Sequence, residues 1–126
     1  MQKIIVDSSV ILKWLYREDE SYLDQADSLL KHAVEGKVKL ITSELAKYEV
    51  GNVLLVAKIL PIKEGKVALE TLHTLPIQFI ALSENHSYET FTLGNEAKIT
   101  FYDASFVALA KQENATLVTD NPKHQA

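Results

Sequence analysis

The chain has 126 residues, 47% hydrophobic and 24% charged, with 17 acidic against 13 basic side chains, a net charge of −4 and no cysteine. This length predicts one domain, residues 1–126, with an ordinary core, while the lack of cysteine excludes disulfides and thiolate metal sites and agrees with a reducing, cytoplasmic setting. The acidic balance argues against a simple basic nucleic-acid clamp, no apolar run approaches the ~18 residues of a membrane span, and an N-terminus with Lys3 and Asp7 around a short apolar run predicts no signal peptide.

Residues 3–6 read as a strand that runs straight into Asp7, and 8–16 as a short helix. The charged REDE at 17–20 is a connection, and 21–35 is a helix with Leu23, Ala26, Leu29, Leu30 and Ala33 on one face. Gly36 closes it in the position after the cap. A second strand, VKLIT at 38–42, leads into a long helix over 43–59 that stops before Pro61. A helix over 62–74, a strand over 77–82 and a helix over 84–98 with a break near Gly94 follow. The segment 101–113, FYDASFVALAKQE, predicts a strong helix, and TLVT at 116–119 a short last strand ended by DNP. Strands alternating with helices predict an α/β fold with a largely parallel sheet. In such sheets ligands bind beyond the carboxyl ends of the strands, and Asp7 and Asp120 both directly follow strands.

Each candidate carboxylate has a structural reading beside a functional one. Asp7 stands where Asp is a favoured helix N-cap. Asp103 follows Thr100 by three residues, the spacing of a capping box, and Asp120 sits in TDNP, ordinary turn chemistry. Glu49 shares a helix stripe with Leu45 and Val53, where burying a carboxylate without a partner is costly; an edge position is its structural alternative. Taken together, the four are able to converge at one sheet edge, and like charges 4 Å apart repel by ~4 kcal/mol at a surface-like effective dielectric. Such a cluster needs a counter-ion, and an oxygen-only ligand set favours Mg²⁺ or Mn²⁺. The four histidines are scattered without ligand spacing and read as surface or packing residues. An acidic divalent site suits phosphodiester hydrolysis. No P-loop, dinucleotide fingerprint or nucleophile elbow competes with it. Lys13, Arg17 and Lys98 are either solvated surface charges or guides for phosphates.

VDSSV near the start, ELAKYEVGNVL in the middle and TFYDASFVALAKQENATLVTDN at the end resemble, in that order and over almost the whole chain, the PIN-domain ribonucleases, and most of all the toxins of VapBC toxin–antitoxin systems. The resemblance implies a three-layer α/β/α domain with a central parallel sheet. It also implies an Mg²⁺- or Mn²⁺-dependent endoribonuclease acting on RNA, a homodimer and a cognate antitoxin. Carried over by position, the acids are Asp7, Glu49 and Asp103, with Asp120 in the region of the fourth, and Ser9 and Thr119 as supporting hydroxyls. Glu44 is a rival to Glu49, but EVGN around Glu49 fits the family pattern better. The family's last acid stands two residues after the threonine, where this chain has Asn121, so Asp120 or Asn121 completes the site. Two other readings compete: a non-catalytic scaffold on the same fold, and a phosphorelay receiver, which expects an acidic pair where VDSS has one acid.

Overall fold

The computed structural model describes residues 1–17 and 22–120. Four strands, β1 (Gln2–Val6), β2 (Val38–Ser43), β3 (Ile77–Ile80) and β4 (Thr116–Val118), form one sheet in the order β3-β2-β1-β4, and every pairing is parallel. The helices are α1 (Ser8–Leu15), α2 (Leu23–Val34), α3 (Leu45–Asn52), α4 (Ile62–Thr74), α5 (Glu84–Ala97) and α6 (Phe101–Glu113). The central strands are buried runs, Ile4–Val6 in β1 and Leu40–Ser43 in β2, rather than alternating ones. Helices on both faces produce that pattern. From β1 to β2 to β3 the sheet grows in one direction, and β4 then returns to the other side of β1. Right-handed crossovers therefore put α5 and α6 on the face opposite α1, α2 and α4, giving three layers. The expected α/β/α architecture is present. The strand order differs from the 2-1-3-4-5 order of receiver-type folds, which removes the phosphorelay reading.

Ile5, Ile11, Ile41, Val50, Phe106 and Leu109 are at most 1% exposed and form the centre of the core. The strand returning beside β1 is tied in by hydrophobic burial and by polar bonds at its end, described below. Thr42 Oγ1 donates to the carbonyl of Val6 over 2.6 Å, so a polar side chain inside the sheet is satisfied.

Two expectations are corrected. The helix expected over 43–59 is α3 followed by a π-helical turn at Val53–Ala57, where Lys58 N–H donates to Val53 O, five residues back. Ile59 then takes a left-handed backbone, φ 52°, an outlier for a β-branched residue, and the chain reaches Pro61. An apolar VLLVA sequence satisfies α and π spacing alike, so periodicity does not separate them. Of the connection at 17–20 only Arg17 lies among the described residues.

The second correction is Gly94, which lies inside an unbroken α5. A Cβ there would stand 3.4 Å from Ile99 O and 3.5 Å from Ala104 Cβ. The glycine stands where α5 meets α6 and does not break the helix. Alanine fits at ordinary contact distance and removes a poor helix former, so Gly94→Ala is expected to be neutral or stabilising by up to ~1 kcal/mol. Gly94→Val is expected to cost ~1–3 kcal/mol by overpacking. Urea melts of the two variants check this difference in sign.

Candidate active site

In a parallel sheet all carboxyl ends lie at one edge, and the crevice opens where strand order reverses. Here that point lies between β1 and β4. Asp7 follows β1 there, and Thr119 and Asp120 follow β4. Asp7 is 3% exposed. Its Oδ1 accepts from Ser9 N–H at 3.1 Å, Val10 N–H at 3.3 Å and Ser9 Oγ at 2.5 Å, and its Oδ2 accepts from the Thr119 hydroxyl. Ser9 Oγ in turn accepts from Asp120 N–H at 2.9 Å. One carboxylate thus caps α1 and fastens the ends of two strands across 112 residues of sequence. The capping and functional readings of Asp7 are not exclusive: an N-cap at a switch point is a carboxylate held rigidly at the mouth of a cleft.

Asp103 and Glu49 reach the same edge by other routes. The thirteen-residue α6 ends just before β4 begins, and its rise of ~1.5 Å per residue carries its first turn back to the carboxyl edge. Thr100 Oγ1 caps that turn by accepting from Asp103 N–H at 3.1 Å. Helix α3 starts one residue past β2 and packs against both α1 and α6, which lie in opposite layers. It therefore lies across the edge, with half-buried Glu49 at its middle. Glu44 is engaged elsewhere: its carboxylate pairs with Lys47 at 3.3 Å.

Lys13 corrects one of its two sequence readings, the solvated surface charge. It is 2% exposed, and its Nζ lies 3.1 Å from Asp120 Oδ2. Lys13 is four residues after Ser9, so both project from one face of α1; that spacing was the available signal. Arg17 bonds Asp27 through two hydrogen bonds of 3.0 and 2.8 Å. The side-chain hydrogen bond from Arg17 holds the Asp27 carboxyl below its ordinary range. Lys98 is exposed at the left-handed end of α5. Asn121 lies outside the described residues. His86 is a packing residue, its Nε2 3.0 Å from Ser105 O between α5 and α6.

Ser9, Asp7, Thr119, Asp120 and Lys13 thus form one bonded network, with Glu49 and Asp103 on neighbouring helices. Among the described residues, no three His, Asp or Glu side chains are close enough as placed to hold a metal ion. The donors themselves are all oxygens, the chemistry that suits Mg²⁺ or Mn²⁺, and carboxylates on separate elements rest apart unless a cation offsets their repulsion. Beside the network a cavity of about 380 Å³ opens between α1, α2 and β4. Among the described residues no helix is long and apolar enough to cross a membrane.

The sequence profile of the PIN domain matches residues 4–126. Ribonuclease VapC3 of Pyrobaculum aerophilum is 33% identical over 125 residues, covering 93% of this chain and 88% of the relative. The crystal structure of VapC20 of Mycobacterium tuberculosis, a Sarcin-Ricin loop cleaving toxin, superposes with a TM-score of 0.73 at 12% identity, covering 96% of this chain and 92% of that one. VapBC2 of Rickettsia felis, bound to a DNA fragment from its promoter, gives 0.69 at 20% identity, with 97% and 90% covered. These two structures share the fold.

Proposed function

Because this chain belongs to the PIN-domain family, we propose that it is a divalent-metal-dependent endoribonuclease, the toxin of a toxin–antitoxin pair, working in the cytoplasm. The observation that carries this reading is the Asp7 carboxylate, buried at the switch point and fixed by the Ser9 and Val10 amides and the Ser9 and Thr119 hydroxyls. Rigid positioning of a charged ligand at the sheet edge is what metal-assisted phosphodiester hydrolysis requires.

In this reading Asp7, Glu49 and Asp103 hold Mg²⁺ or Mn²⁺, which when bound supplies a Lewis acid and an activated water. Ser9 and Thr119 orient Asp7, donating to opposite oxygens so that the carboxylate plane cannot swing. Glu49, on the helix bridging the two layers, orients the attacking water and takes its proton. Asp120 flanks these acids with its charge shared by Lys13, and Asn121 is the neutral candidate for the remaining position. The scissile strand enters from the crevice between β1 and β4, which favours single-stranded or loop RNA, whose backbone is free of a helix partner.

A ligand that binds only the native state stabilises it. Millimolar Mg²⁺ or Mn²⁺ is therefore expected to raise the melting temperature by a few degrees in the wild type and not in Asp7→Asn. A wild-type transition unmoved by either ion contradicts the metal reading and favours a non-catalytic scaffold.

The same reading includes a homodimer and a cognate antitoxin. It is supported by Tyr48, Leu55, Val56, Ile59 and Ile62, which are 62–80% exposed on and after α3. Such a set of large apolar side chains marks an interaction surface. Light scattering at micromolar concentration is expected to give about twice the chain mass of 14.1 kDa. Leu55→Glu is expected to return it to the monomer. A monomeric wild type contradicts the dimer.

A further inference from the structure

We propose that the cavity between α1, α2 and β4 is a guanine-binding subsite, which takes a base of the RNA next to the scissile phosphate; the consequence for cleavage rests on the nuclease reading above. The cavity adjoins the acidic network directly, because Lys13, Thr119 and Asp120 belong to both. Thr119 lines the cavity and also donates its hydroxyl to Asp7, so a base seated there lies next to the candidate metal-binding edge. At about 380 Å³ the cavity falls within the ~300–1,000 Å³ range of small-molecule pockets.

The lining argues for a neutral, flat ligand with an apolar face and a polar edge. Val10, Ala26, Leu29 and Val118 supply apolar wall. Lys13 and Asp120 supply the polar edge, with the Lys13 side chain 3% exposed and its Nζ 3.1 Å from the carboxylate. Their charges offset each other, so among the described residues the lining carries no surplus cation to prefer a phosphate. A carboxylate beside an ammonium seeks two donors beside an acceptor. Guanine alone among the bases presents two adjacent ring-edge donors, N1–H and the N2 amino group, next to the O6 acceptor. Adenine and cytosine set a single amino donor beside a ring acceptor, and uracil sets one donor between two acceptors. Tyr22 stands at the mouth, 65% exposed, with a left-handed backbone of φ 59°. That conformation is an outlier for a bulky residue, and strain of this kind gathers at ligand sites. Its ring gives a base a stacking face, the usual companion of edge recognition in single-stranded RNA. Gln25, exposed on α2 and also lining the cavity, adds an adaptable amide at the rim.

The test uses the full chain with Mg²⁺ or Mn²⁺ and a random-sequence single-stranded RNA pool, with both fragment ends sequenced. Guanine is expected to be enriched about tenfold at one position beside the cut, the discrimination of a good bidentate base contact. Replacing that guanine by adenine in a defined oligonucleotide is expected to act mainly on KM. Inosine, which lacks the N2 amino group, is expected to fall between them. Tyr22→Leu and Asp120→Asn are each expected to bring the guanine-to-adenine ratio of kcat/KM towards one. Cleavage that depends on Asp7 but ignores base identity overturns the subsite and leaves the nuclease reading standing. If no RNA is cut, the nuclease reading fails, and guanosine titrated into the labelled protein decides the subsite. Shifts at the Gln25 side-chain amide and the Val118 backbone amide with guanosine, and not with adenosine, uphold it; no shift overturns it.

Discussion

Asp7→Asn is expected to lower RNA cleavage by at least ~10²-fold while leaving the fold within ~1 kcal/mol of the native chain. The activity loss follows from replacing a charged ligand by a neutral one, since electrostatic help from a bound metal is worth several kcal/mol and each 1.36 kcal/mol is about tenfold in rate. The stability follows from the bonds that Asp7 makes. Asparagine caps helices about as well as aspartate. Its oxygen can face the Ser9 and Val10 donors, and its amide can face Thr119, whose hydroxyl accepts as readily as it donates. Asp7→Ala separates the two roles. It removes the cap and the acceptor of two buried or half-buried hydroxyls, at an expected cost of ~2–4 kcal/mol. If Asp7 were a cap only, the Asn variant would cut RNA at the native rate.

Glu49→Gln and Asp103→Asn are each expected to reduce cleavage by about 10²-fold or more, by the same electrostatic argument, with the apo protein no less stable. Both changes preserve shape, and each removes one like charge from an acidic edge, which relieves repulsion. The competing account, in which Glu49 serves a structural ion pair, makes the opposite prediction for stability. Breaking a buried pair typically costs ~3–5 kcal/mol, and half-burial at Glu49 would reduce that only in part. Denaturant melts in EDTA, alongside initial rates of cleavage with Mg²⁺, separate the two accounts.

What could be read from the sequence was local. The helix over 101–113 and the strands follow from period and punctuation, because a buried parallel strand is an apolar run and a helix needs a stripe. Asp7 and Asp120 fall at the edge by the rule for open α/β sheets alone. What escaped was set by tertiary contact. Lys13 looks like any surface lysine on a short helix; its carboxylate partner lies on the far side of the chain, and only the return of β4 beside β1 brings them together. Gly94 has the signature of a helix break, yet α5 runs through it unbroken beside α6. The π-helical turn after α3 is hidden in a run of apolar residues that fits either spacing. The cavity was invisible for a similar reason: Tyr22, Gln25 and Leu29 carry no motif, and they gain meaning only as a wall facing Lys13 and Asp120.

The most direct test of the central claim is single-turnover cleavage of a single-stranded RNA by the wild type and by Asp7→Asn, each with Mg²⁺, with Mn²⁺ and with EDTA. The account predicts cleavage by the wild type with either ion, none in EDTA, and a loss of at least ~10²-fold in Asp7→Asn with either ion. Wild-type cleavage that persists in EDTA, or an Asp7→Asn protein that cuts RNA at the native rate, would contradict it.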